Sequence, residues 1–176
     1  MVAMKLVLVR HGATDLSDRG RFNGWLDVPL NRRGRQQAEQ LRTSLADRRF
    51  DGVWSSDLLR ATQTAELAGF EPATDSRLRE LDFGELEGST WDDCDPEVRT
   101  SLMRFDGFAA SGGESVEAMR ARVHAFIEGL PPGVNLAFTH GGPVRLVLRE
   151  LHVERMIRPG SVVEIRLTGA LSPGGP

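Results

Sequence analysis

The sequence predicts an α/β protein: a three-layer sandwich with a mostly parallel central sheet, helices on both of its faces and a small cap. Three observations predict it. Short, mainly apolar runs of strand length recur along the chain, stretches with helical apolar spacing alternate with them, and a single segment breaks the alternation.

The first run, Leu6 to Val9, is apolar throughout and ends at Arg10-His11-Gly12, as expected of a strand covered on both faces that then leaves its sheet. Asn31 can cap a following helix whose inward stripe is Ala38, Leu41 and Leu45. Phe50 to Trp54 is the second strand, and a helix starting near Ser56 carries Leu58, Ala61, Ala65 and Ala68 on one face. Residues 83–113 mix glycines, acids and the exposed-looking aromatics Trp91, Phe105 and Phe108 without a clean period. They read as a cap or lid over the active edge of the sheet. Ser115 can cap a third helix, with Val116, Met119, Val123 and Ile127 inward. Val134 to Phe138 is the next strand, Val144, Val147, Leu148 and Leu151 stripe a fourth helix, and Val162 to Leu167 is the last strand. The Pro/Gly-rich tail Leu171 to Pro176 is expected to fray.

A chain of 176 residues suits one domain spanning 1–176, large enough to bury a core without staples. Its net charge of -3 gives no global basic field, so neither nucleic acid nor a membrane surface is an expected partner. Cys94 is the one cysteine, which rules out an internal disulfide. The start of the chain has no long apolar region with a cleavage pattern, and a soluble cytoplasmic protein, monomer or homodimer, is expected. The four histidines lack the H-x-x-x-H spacing of a metal pair and there is no Cys-x-x-Cys, so no metal and no other cofactor are expected.

In such a fold ligands sit beyond the carboxyl ends of the strands. Arg10 and His11 follow the first strand, Arg60 opens the helix after the second, and His140 with Gly141-Gly142 follows the strand before the fourth helix. Two guanidiniums, two imidazoles and the amides of a helix N-terminus can converge there, which suits a dianionic phosphate. Taken alone, Arg60 reads as a solvated helix arginine rather than a ligand. Glu80 is one of four acids between Glu80 and Glu87, among which spacing does not choose. His124 and His152 read as surface or packing residues, and Trp25, Trp54 and Trp91 as packing.

Arg10-His11-Gly12-Ala13-Thr14 resembles the R-H-G-x-T signature of the histidine phosphatase superfamily, the phosphoglycerate mutase-like branch. The blocks Arg21 to Leu30, Ser55 to Ala65, Leu78 to Gly88, Gly112 to Ser115 and Thr139 to Gly142 resemble that family's others, in family order. The resemblance implies a phosphoglycerate mutase-like fold and phosphoryl transfer through a phosphohistidine on His11. It implies that Arg10, Arg60 and His140 bind the phosphoryl oxygens, and that Glu80 protonates the leaving oxygen and later deprotonates water. It places Thr14, Ser17, Asn23 and Gly141 against the substrate. Ala13 and Ser17 depart from the Glu or Gln and the Asn that many relatives carry. A small cap and a short tail favour a phosphatase acting on a small-molecule phosphate ester over a mutase, and length with the Phe105 to Glu114 stretch resembles α-ribazole-phosphate phosphatases of cobalamin synthesis. Phosphoglycerate mutase is the alternative. A silent phosphate-binding module is another, and having both His11 and Glu80 argues against it.

Overall fold

The computed structural model describes residues 4–167. The tail expected to fray lies outside them. Five strands, β1 (Met4–Arg10), β2 (Gly52–Ser55), β3 (Ala73–Thr74), β4 (Val134–Thr139) and β5 (Val162–Leu167), form one sheet in the order β3-β2-β4-β1-β5. All neighbours are parallel except β5, which runs antiparallel to β1. Its alternation of buried Val163, Ile165 and Leu167 with exposed Glu164 and Arg166 fits an antiparallel edge strand.

Among the described residues six α-helices accompany the sheet: α1 (Asp15–Asp18), α2 (Arg32–Leu45), α3 (Leu59–Leu67), α4 (Pro96–Arg104), α5 (Val116–Glu128) and α6 (Gly141–Glu150). Alternate residues of β1 feed two cores, as a two-faced strand must. Val7 and Val9 pack with Leu41 and Leu45 of α2 and Ala65 and Ala68 at α3. Leu6 and Leu8 pack with Met119, Val123 and Phe126 of α5 and Val144, Val147 and Leu148 of α6. The expected three layers are therefore present, with α2 and α3 on one face and α5 and α6 on the other.

The expected caps form: Asn31 accepts the Gly34 N–H at 2.9 Å and Ser115 accepts the Ala118 N–H at 3.0 Å. The second helix begins later than its spacing suggested, at Leu59, because the Ser56 hydroxyl turns to His140 and Asp57 to Arg79. Leu151 closes α6 in an exposed position, and Leu146 is buried instead.

Within residues 83–113 the structure corrects the reading. Helix α4 starts at Pro96 and ends at Arg104, and Phe105 and Phe108 are buried in the α5/α6 core rather than exposed; Trp91 alone of the three is partly exposed, at 37%. Phe105 has φ 53°, a left-handed close to the helix that its buried ring stabilises.

Candidate active site

The register of β1 on β4 pairs Arg10 with Thr139, so His11 and His140 leave adjacent strands at the same edge. The His11 N–H donates to the Thr139 carbonyl (2.9 Å), and the Ser56 N–H, at the end of β2, donates to that of Phe138 (2.8 Å). Three neighbouring strands thus deliver their following residues to one place. The His11 and His140 rings meet edge-on with centroids 5.0 Å apart, and both are buried.

His11 Nδ1 lies 2.7 Å from its neighbour's carbonyl, Gly12 O, an acceptor only, so Nδ1 carries the proton and Nε2 keeps its lone pair. Arg60 Nε donates toward that Nε2 at 3.3 Å. Burial chiefly, then the charges of Arg60 and Arg10, hold the His11 pKa well below its ordinary value. The imidazole is neutral at neutral pH.

Arg60 is fully buried, on the first turn of α3, and is no solvated helix arginine. Its Nη1 donates to Leu26 O (2.9 Å) and its Nη2 to Asn23 O and Gly24 O (3.2 and 2.6 Å). Burial lowers its pKa to about 10, which leaves it charged at neutral pH. Most of its donors are therefore committed to the loop and to His11, where the sequence suggested that they stand free for an anion. Arg10 donates through Nη1 to Ile157 O, while its Nε is buried without a partner. His140 shares 2.8 Å with the Ser56 hydroxyl through Nε2, and its Nδ1 is likewise buried and unpartnered. Burial first, then Arg60, His11 and Arg10, depress the His140 pKa well below its ordinary value. Buried polar groups are as a rule paired in folded proteins, so two nitrogens without a protein partner beside His11 mark a place suited to an anion.

Tertiary contact settles which of the four acids faces the site. Glu80 is buried, and both carboxylate oxygens accept the Gly142 N–H at 3.0 Å while Oε1 accepts Leu81 N–H at 2.9 Å. Its carbonyl is held by Trp25 Nε1 and Arg122 Nη2, each at 2.8 Å. Asp82 instead caps Gly84, Glu85 faces solvent, and Glu87 binds the loop at Gly24. A Cβ on Gly142 would stand 2.0 Å from Glu80 Oε1, so only glycine admits this contact. The Gly142 amide, expected to face an anion, is spent on Glu80. Gly141, packed against the Arg10 guanidinium, is left to offer the helix end.

The remaining sequence candidates are placed less directly. Ser17 lines the cleft, yet its hydroxyl is spent in the capping box of α1, bonding both Thr14 N and Thr14 O. Thr14 is buried and its hydroxyl oxygen accepts from Ser17 N and Asn23 Nδ2. Asn23 lines the cleft, and its Oδ1 is buried without a partner. Sequence reasoning missed Ser56, Trp25 and Arg122, which orient His140 and Glu80. The run Ser55-Ser56 at a strand end was the available signal for the first. His124 bonds Glu150 at 2.8 Å, and exposed His152 takes no part. Among the described residues no three His, Cys, Asp or Glu side chains form a metal-binding group.

Two adjoining hollows share Arg10, Phe22, Glu80, Phe83 and Trp91 as walls. The smaller, about 320 Å³, opens onto His11 and Asn23. The larger, about 620 Å³, runs between Phe83, Trp91, Leu102, Phe105, Met156 and Ile157. Residues of the 83–113 segment thus form much of its wall.

The chain is similar to known proteins. Phosphoglycerate mutase-like protein 4 of Arabidopsis thaliana is 31% identical over 156 residues, covering 80% of this chain and 68% of that protein. A probable phosphoglycerate mutase GpmB of Escherichia coli O1:K1 is 35% identical over 150 residues, 78% of this chain and 70% of that one. The crystal structure of a phosphoglycerate mutase from Thermus thermophilus superposes with a TM-score of 0.87 at 48% identity, over 92% of each chain. The signature of the histidine phosphatase superfamily (branch 1) matches residues 6–168, and the chain belongs to that family of enzymes.

Proposed function

We propose that the chain is a phosphomonoesterase working through a phosphohistidine on His11 Nε2. The observation that carries the reading is the fixed His11 tautomer, with an unprotonated Nε2 beside Arg60 and two unpartnered nitrogens of Arg10 and His140. Nε2 attacks phosphorus, the P–O ester bond breaks, and the leaving oxygen takes a proton from the Glu80 carboxyl. Water then attacks the phosphohistidine and gives its proton to the Glu80 carboxylate. The P–N bond breaks, releasing inorganic phosphate and neutral His11. Arg10 and Arg60 offset the charge on the phosphoryl oxygens in a loose transition state and the neutral His140 adds a hydrogen bond, electrostatics and positioning supplying most of the acceleration.

The larger hollow supports hydrolysis of a bulky ester. Its aromatic and aliphatic walls, with the charged Arg145, Glu154 and Arg155 among them, offer an amphipathic leaving group a home, with the 83–113 segment as its cap. α-Ribazole 5'-phosphate is a candidate of that size. Phosphoglycerate mutase is the second reading, favoured by the names of the relatives. A panel of α-ribazole 5'-phosphate, an aryl phosphate and 3-phosphoglycerate, each with and without EDTA, tests the proposal. Release of inorganic phosphate from the first two, unaffected by EDTA, is expected. Isomerisation of 3-phosphoglycerate without net hydrolysis of any ester would overturn it in favour of the mutase.

A further inference from the structure

Arg60 reaches His11 only because the loop of residues 23–26 turns three carbonyls inward, those of Asn23, Gly24 and Leu26, to receive its guanidinium. A loop so turned has amides to satisfy on its other side. The Glu87 carboxylate takes two: Oε2 accepts the Gly24 N–H at 2.9 Å and Oε1 the Trp25 N–H at 2.6 Å. The fit is close, for a Cβ on Gly24 would stand 2.2 Å from Glu87 Oε1 and 2.4 Å from Leu81 O. Glu87 also supplies negative charge near a guanidinium that is otherwise buried, supporting its charged form.

We propose that Glu87 is a positioning residue for the phosphoryl-transfer site. Through the two amides of Gly24 and Trp25 it locks the 23–26 loop, and the loop carbonyls aim Arg60 Nε at His11 Nε2. The proposal rests on the phosphohistidine reading of His11. The carboxylate touches neither the nucleophile nor the hollow in which the phosphoryl group would sit. Glutamine cannot replace it fully, because its amide offers one acceptor where the two N–H groups need two.

The experiment is a double-mutant cycle on hydrolysis of an aryl phosphate, with Glu87→Ala, Glu87→Gln, Arg60→Met and the combinations. Far-UV spectra and urea midpoints establish which variants are folded. Glu87→Ala is expected to lower kcat/KM on the order of 10- to 100-fold, the size of effect that misplacing a catalytic group produces. Glu87→Gln is expected to lose less. In the Arg60→Met background the Glu87 substitutions should cost little more. The acid limb of the kcat/KM profile should also move to higher pH in Glu87→Ala, because an Arg60 no longer aimed at His11 ceases to oppose its protonation. Wild-type rates and an unmoved limb in both folded Glu87 variants, beside an impaired Arg60→Met, would overturn the inference and leave the reading of the site standing. An equal Glu87 loss with and without Arg60 would overturn it too, marking general support of the fold. Full activity in Arg60→Met would instead bring down the reading of the site, and this inference with it.

Discussion

Glu80 is seated by contacts that are stereochemically narrow, with the Gly142 amide on one side and the Leu81 amide on the other. If this carboxyl protonates the leaving oxygen, its removal matters in proportion to how much that oxygen needs a proton. Glu80→Gln should lower turnover of an alkyl phosphate on the order of 10²- to 10⁴-fold and that of p-nitrophenyl phosphate much less. Equal losses for the two esters in steady-state assays would count against the acid role. Gly142→Ala should reproduce the same pattern, because a methyl group there displaces the carboxylate. A Gly142→Ala variant that leaves the ratio of the two rates unchanged would contradict this seating. At this scale the sequence was only partly legible. Four acids stand between Glu80 and Glu87, and what separates them is contact with residues far along the chain, which no local spacing records.

The elements read from the sequence were those with dense apolar patterns. β1 and β4 are buried on both faces and so appear as apolar runs, unbroken over Leu6 to Val9 and interrupted only by Asn135 between Val134 and Phe138, and α2, α5 and α6 carry stripes long enough to show their period. Helix α4 carries no apolar stripe to detect: Leu102 is its one buried residue, with Val98 partly buried beside it. Asp95 and Pro96 were a start signal in the sequence, Pro96 at the first turn. β3 has two exposed residues and no pattern to detect. Leu102 joins α4 to the core and also lines the larger hollow. Leu102→Ala should therefore cost about 2–5 kcal/mol in urea denaturation and raise KM for a bulky ester more than for a small one. A cost under about 0.5 kcal/mol, the range of surface substitutions, would contradict the packing described for α4.

Across the molecule, convergence was legible through topology. Arg10-His11 and His140 follow adjacent parallel strands, and strand ends are where such sheets assemble sites. The network that holds them, Glu87 to the loop to Arg60, was not, since each link joins residues distant in the chain. Concentrating neutral imidazoles and guanidiniums in a buried site has a consequence for stability. Both imidazoles titrate in the folded protein well below the ordinary 6.5, so between that value and the lowered ones the unfolded chain binds more protons. Their contribution is fully present above about pH 6.5 and is lost as pH falls through that window. Urea midpoints should fall from about pH 7.5 to about pH 5.5, and His140→Gln should flatten the fall. An equally steep fall in that variant would show that other groups govern it.

The most direct test of the central claim, that His11 Nε2 takes the phosphoryl group, is rapid acid-free quenching of the enzyme with a phosphate ester carrying labelled phosphorus, followed by peptide mapping. An acid-labile, alkali-stable label on His11 that forms and decays at the rate of turnover, and is absent from an inactive His11→Ala variant, is predicted. Undiminished turnover by His11→Ala, or label on another residue, would contradict it.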